Sequence, residues 1–128
     1  MSLTKKFYFC KKCGNLVEVI QDAGKPIICC DEVMTRLRPN TSEGATEKHL
    51  PVVEIQGARV CAEVGDVHHP MTQEHSIKWV YLETDQGCQR KELSPDEKPV
   101  AEFELARGEK PVAVYAYCNL HGFWKTEV

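Results

Sequence analysis

Four cysteines fall within the first 30 residues, as Cys10-Lys-Lys-Cys13-Gly and, after fourteen intervening residues, Cys29-Cys30. No other feature limits the fold of this segment so tightly. A Cys-x-x-Cys turn followed by glycine lets two thiolates face one ion, because glycine admits the tight backbone path. Cys29 and Cys30 complete a set of four sulfurs. Adjacent residues cannot form a second turn of that kind, so the tetrahedron is expected to be angularly distorted. Four thiolates suit zinc or a single iron, and the spacing does not choose between them. A Cys29–Cys30 disulfide would be strained and ranks below either metal. A module this short has almost no core, so the metal would supply most of its folding free energy, on the order of 10 kcal/mol.

The chain carries seven cysteines in 128 residues, an odd number. Its start, MSLTKKFYFCKKCG, lacks the apolar stretch and small-residue cleavage site of an export signal. Export is therefore not expected, and closely spaced cysteines in a reducing cytoplasm point to metal or redox chemistry. With 42% hydrophobic and 27% charged residues, the composition is that of a globular protein. A net charge of −3 gives a nucleic-acid partner no electrostatic support. No apolar run approaches the roughly 20 residues that cross a bilayer. Neither nucleic acid nor membrane is an expected partner.

The composition changes near residue 38. RPNTSEGATEKHLP, from Arg38 to Pro51, is polar and reads as a connection, dividing the chain into 1–38 and 39–128. Beyond it the apolar period is two. VVEIQ and RVCAEV flank a turn at Gly57, IKWVYLET is apolar on both faces, and VAEFELA puts Glu102 and Glu104 opposite Ala101, Phe103 and Leu105. TDQG and ARGEKP are turn sequences, and VAVYAYC follows as another strand. No helix is predicted. Short strands separated by turns predict an antiparallel β-sandwich.

All five histidines lie in loops or at strand ends: His49 in EKHLP, His68, His69 and His75 in HHPMTQEHSIKW, and His121 three positions after Cys118 in YCNLHGFWK. A rigid sandwich can present such residues together at one end. Imidazole suits iron, copper, nickel and zinc, and a thiolate ligand pushes electron density onto a metal. Four imidazoles and one thiolate would leave a six-coordinate metal one open position, which suits binding and reduction of a small oxygen species. A structural metal is more often closed by four ligands.

Taken together, FYFCKKCGN, ICCDE, EKHLP, HHPMTQEHSIKW and YCNLHGFWK resemble desulfoferrodoxin, the two-iron form of superoxide reductase, over essentially the whole chain. The resemblance implies a four-cysteine iron module held by Cys10, Cys13, Cys29 and Cys30, followed by an immunoglobulin-like β-sandwich. It implies a second iron with His49, His69, His75 and His121 as equatorial imidazoles and Cys118 as axial thiolate. Glu47 would match a carboxylate that fills the vacant position in the resting ferric state, and Lys48 a cation beside it. The implied reaction is one-electron reduction of superoxide to hydrogen peroxide, with a rubredoxin-like protein returning the electron and a homodimer as the usual assembly. The motif and Pro70 favour His69 over His68 as ligand. Cys61 and Cys88 are left as a half-exposed strand residue and an accessory turn thiol. Trp79 and Tyr81 read as core, and Trp124 as a shield for the Cys118 sulfur.

Two other functions fit parts of the pattern: a pure iron electron carrier, and a zinc-stabilised interaction domain without enzymatic activity. Colour separates the last from the rest. The purified protein is expected to absorb visible light and to contain two irons per chain by elemental analysis. A colourless, zinc-loaded protein would contradict the iron reading.

Overall fold

Alternation along the strands builds the larger part of the chain. The structure, a computed structural model, describes residues 5–41 and 46–128, with the side chain of Glu47 outside the described set. The chain divides into two compact units, Met1–Arg38 and Pro39–Val128.

In the first unit, β1 (Lys6–Phe9) pairs antiparallel with β2 (Leu16–Val19). β3 (Ile28–Cys29) pairs with β4 (Glu32–Val33), and β5 (Thr35–Arg36) returns to the free edge of β1. Phe7, Cys10 and Met34 are the buried apolar residues among those described in this unit, a small core for its length. The β3–β4 hairpin turns on Cys30 and Asp31, with φ of 53° and 62°. Positive φ at both central residues is the pattern of a type I′ turn, which matches strand twist but strains residues other than glycine.

In the second unit a single helical turn, α1 (Thr46–His49), lies where the sequence reads only as a connection. Four residues are too few to show a helical apolar period. The strands that follow are β6 (Pro51–Gln56), β7 (Arg59–Val64), β8 (Ile77–Thr84), β9 (Cys88–Glu92), β10 (Val100–Glu104), β11 (Pro111–Cys118) and β12 (Gly122–Glu127). They form an antiparallel sheet ordered β10-β7-β6 and a second ordered β12-β11-β8-β9. This is an immunoglobulin-like sandwich. Gly57, with φ of 60°, makes the β6–β7 turn.

The core lies between the sheets. Val60, Ala62, Val64, Ala101 and Phe103 face Val80, Leu82, Val114, Ala116 and Cys118, and all are buried. Ile77 belongs to this core as well, although simple alternation would put it with Trp79 and Tyr81. A register shift between Tyr117 and Cys118 pairs Cys118 with Ile77 and skips Lys78, so Ile77 turns inward. Trp79, Tyr81, Tyr115, Tyr117 and Phe123 make ring contacts with one another away from this core, and the Tyr115 hydroxyl donates to buried Glu83 at 2.7 Å. Trp79 is only half-buried. The open edge of β12 is covered by Asn40, which donates its N–H to Phe123 O and accepts the Lys125 N–H, each at 2.9 Å. Such cover blocks edge-to-edge pairing.

Candidate metal centres

The sequence folds Cys10 and Cys13 into a tight knuckle. Gly14 N donates to Cys10 O at 2.9 Å and Cys10 N to Asn15 O at 2.8 Å, with Gly14 at φ 85°. The β3–β4 turn brings Cys29 and Cys30 to the same place, and the four sulfurs lie within 4.8 Å of one another. Cys13 and Cys29 Sγ are 3.6 Å apart. A tetrahedral ion with metal–sulfur bonds of about 2.3 Å separates its sulfurs by about 3.8 Å, so the spacing fits one metal. The Cys13 backbone N–H, before any other group, lowers the Cys10 pKa to about 6. Sulfurs of Cys13, Cys10 and Cys29 push Cys30 up to about 12, and those of Cys13 and Cys10 raise Cys29. Four thiols at this spacing cannot all ionise without a cation among them.

The second set gathers from four places in the chain. Cys118 is the last inward residue of β11, two positions beyond Ala116 in the core row. β12 begins at Gly122, so His121 sits in the turn just past Cys118. His49 ends α1, and His69 and His75 lie in the connection between β7 and β8. Gly65 fixes α1 against that connection: its N–H donates to Leu50 O at 3.0 Å, and its φ is 91°. A Cβ there would meet Val67 O at 2.3 Å and Lys48 O at 2.7 Å, so no larger residue fits.

The four imidazoles form a near-square. Neighbouring ring centroids are 4.6 Å apart for His49–His69 and His69–His75, 5.0 Å for His75–His121 and 4.8 Å for His49–His121. The diagonal His49–His75 is 6.5 Å. His49 Nε2 is 3.1 Å from both His69 Nε2 and His121 Nδ1. Two nitrogens held cis on one ion by bonds of about 2.1 Å lie about 3 Å apart. One ring nitrogen cannot satisfy two others with a single proton, whereas a cation satisfies all of them. His75 Nε2 is buried and has no hydrogen-bond partner among the described residues. Cys118 Sγ, fully buried, lies 4.0 Å from His121 Nδ1 and accepts the His121 backbone N–H at 3.4 Å. All five donor atoms lie within 4.8 Å of one another. The residues therefore fit one metal ion with four nitrogens and one sulfur.

The surroundings hold these rings in place. His69 Nδ1 donates to Pro70 O at 2.7 Å, which leaves Nε2 as the metal-facing atom. Trp124 stacks on His49 with centroids 4.9 Å apart and donates Nε1–H to His121 O at 3.1 Å. Both of these interactions are with residues of the imidazole cluster. Burial, followed by the charges of the other three imidazoles, lowers the His69 pKa to about 4. Burial also lowers His75, with His121 and the Lys48 ammonium adding to it. Neutral imidazole is the metal-binding form.

The structure brings together Cys10, Cys13, Cys29 and Cys30 in one set, and His49, His69, His75, Cys118 and His121 in another. His68 points away from the cluster and pairs with Glu63 Oε2 at 2.8 Å on the surface. Lys48 is exposed, close enough to His75 to affect its titration. The Glu47 side chain lies outside the described residues. Cys61 is half-buried between the neighbouring strand residues Glu54 and Glu102, and Cys88 is exposed at the start of β9, one residue beyond the turn. Sequence reasoning missed Gly65, which a Val-Gly-Asp turn only hints at.

A sandwich with four imidazoles and a thiolate at one end, joined to a four-sulfur module, defines a two-centre, non-haem metalloprotein. Residues 41–127 match the desulfoferrodoxin family, and residues 2–37 match the desulfoferrodoxin N-terminal domain. The chain belongs to the desulfoferrodoxin family. It is 42% identical to a desulfoferrodoxin of Syntrophotalea carbinolica over 120 residues, 94% of each chain. The superoxide reductase of Treponema pallidum superposes with a TM-score of 0.82 at 38% identity, covering 98% of this chain and 100% of that one. A superoxide reductase of the one-iron type from Giardia intestinalis gives 0.56 at 33% identity, covering 64% of this chain and 97% of its own.

The low His69 pKa has a consequence for stability. An unfolded histidine takes up its proton near 6.5, whereas folded His69 does so only near 4. The unfolded state therefore binds more protons between these values, and stability falls as pH drops from 6.5 toward 4. The urea midpoint of the metal-free protein should decline across that window, and His69→Gln should flatten the decline. A midpoint unchanged between the two pH values would contradict the assignment.

Proposed function

We propose that the protein is a superoxide reductase that consumes superoxide, one electron and two protons and releases hydrogen peroxide. The near-square of four imidazoles with one buried thiol beside it carries this reading. His49, His69, His75, His121 and Cys118 would hold the catalytic iron, and Cys10, Cys13, Cys29 and Cys30 the other. Residues 1–38 form the four-cysteine iron module and residues 39–128 the reductase domain. Ferrous iron held by these five donors would supply the single electron.

The protein's own groups prepare that position. Burial favours the neutral, metal-binding form of His69 and His75, while Pro70 O fixes the His69 ring and Trp124 stacks on that of His49. The His121 N–H directed at Cys118 Sγ stabilises the thiolate within the core. Lys48 Nζ supplies local positive potential in a chain of net charge −3, which would otherwise repel an anion. Glu47, the residue before it in sequence, is assigned the carboxylate role that the family resemblance implies.

A rubredoxin-like donor returns the electron in the cytoplasm, where the activity removes superoxide. The use of five of the seven cysteines as metal ligands supports a reducing compartment. Among the described residues, no helix is long and apolar enough to cross a membrane. The assembly is a homodimer. Ile20 at 94% exposure, with Ile28 and Val33 also exposed in the first unit, supports a partner surface there.

His49→Ala and Cys118→Ser should each abolish superoxide reduction, measured by pulse radiolysis of the ferrous protein, while the visible spectrum of the four-cysteine centre persists. Full activity in Cys118→Ser would rule out the thiolate's role. Lys48→Ala should slow association with superoxide roughly tenfold at low ionic strength and flatten its salt dependence. An unchanged second-order rate there would remove the steering role.

A further inference from the structure

Three of the five donors of the second centre come from two segments that are distant in sequence, the Cys118–His121 turn and the segment Glu74–Ser76 around His75. Asn119 joins them. Its backbone N–H donates to Ser76 O at 3.3 Å, extending the β8–β11 pairing one step beyond Cys118–Ile77. There the β11 backbone turns away toward β12, and the Asn119 side chain continues the pairing. Its Oδ1 accepts the Ser76 N–H at 3.0 Å, and its Nδ2 donates to Glu74 O at 2.8 Å.

These two bonds fall on the two peptide groups that flank His75. The remaining polar atom of each peptide goes to Thr72. The His75 N–H donates to Thr72 Oγ1 at 3.1 Å, and His75 O accepts the Thr72 N–H at 2.9 Å. Both peptides beside His75 are therefore held on opposite sides, Asn119 on one and Thr72 on the other. The direction of the His75 side chain follows from this clamp, and its Nε2 is the buried atom left for a metal.

We propose that Asn119 is a positioning residue for the second centre, whose side-chain amide sets His75 in register with Cys118 and His121. This rests on the reading of the five donors as one metal site. The amide is suited to the task because it offers an acceptor and a donor side by side on a short stem. Aspartate keeps the acceptor for Ser76 N–H but has no donor for Glu74 O, and alanine has neither. With the clamp released, His75 can leave the square while Cys118 and His121 stay.

The test uses the full chain loaded with iron, and each variant carries its four-cysteine centre as an internal reference. The readouts are iron transfer from each centre to excess EDTA and the thiolate-to-iron absorption of the second centre. Asn119→Ala should weaken iron binding at the second centre roughly 10- to 100-fold, as loss of a ligand-orienting group does elsewhere, and should shift its absorption. Asn119→Asp should fall between that variant and the parent. The four-cysteine centre should be unchanged in both. A merely structural role would lower the unfolding temperature of the metal-free protein but leave iron affinity and absorption of the folded fraction at parental values, and that result overturns the proposal. If Asn119→Ala does not fold, parental iron affinity in Asn119→Asp overturns it. A parent chain that takes no iron at the second centre would overturn the metal reading itself.

Discussion

Five donor atoms gathered at one end of the sandwich, with too few protons to satisfy one another, are the constraint on which its function depends. His49 Nε2 faces two other ring nitrogens at 3.1 Å, and His75 Nε2 has no described partner. Burying polar atoms in this state costs free energy unless something compensates. A metal ion compensates all five at once. The metal-free fold thus stores a local penalty at one end of an otherwise well-packed core, and metal binding relieves it. Binding and folding are linked in this way at both centres, though to different degrees. The first unit has little core of its own, whereas the sandwich has a continuous one that can stand without metal.

The sandwich contributes more than rigidity. The phase of β11 that buries Val114 and Ala116 also carries Cys118 inward, to the end of the core where the histidine-bearing loops meet. The register shift at Tyr117–Cys118 turns Ile77 into the same core and leaves the segment before it free to carry His75. α1 is held by Gly65, whose missing side chain allows the backbone at Lys48 to approach. Packing, register and one glycine thus determine where the thiolate and three imidazoles end up. Trp124 links packing to chemistry by covering His49 and tying down the His121 carbonyl.

Much of this was legible in the sequence, and what was not has physical reasons. The alternation of RVCAEV, VAEFELA and VAVYAYC is strong because one face of each strand meets the core. β9, reading CQRKE, was hidden because its side chains are mostly exposed, as suits an edge strand. β12 was hidden behind the Cys-x-x-His motif that precedes it. α1 is too short for a period to show. The cysteine set was legible because its spacing is local. The histidine set was suggested by residue type and by a family resemblance, but its geometry depends on long-range pairing that no window of sequence contains. Gly65 and Asn119 act through such pairings, so nothing local distinguishes them from ordinary turn residues.

The most direct measurement is a crystal structure of the iron-loaded protein with anomalous diffraction collected at the iron absorption edge. One peak should lie within about 2.1 Å of a nitrogen from each of His49, His69, His75 and His121, and within about 2.4 Å of Cys118 Sγ, with no protein atom opposite the sulfur. A peak that lacks Cys118, or a shell closed by a sixth side chain, would contradict a site built to take superoxide.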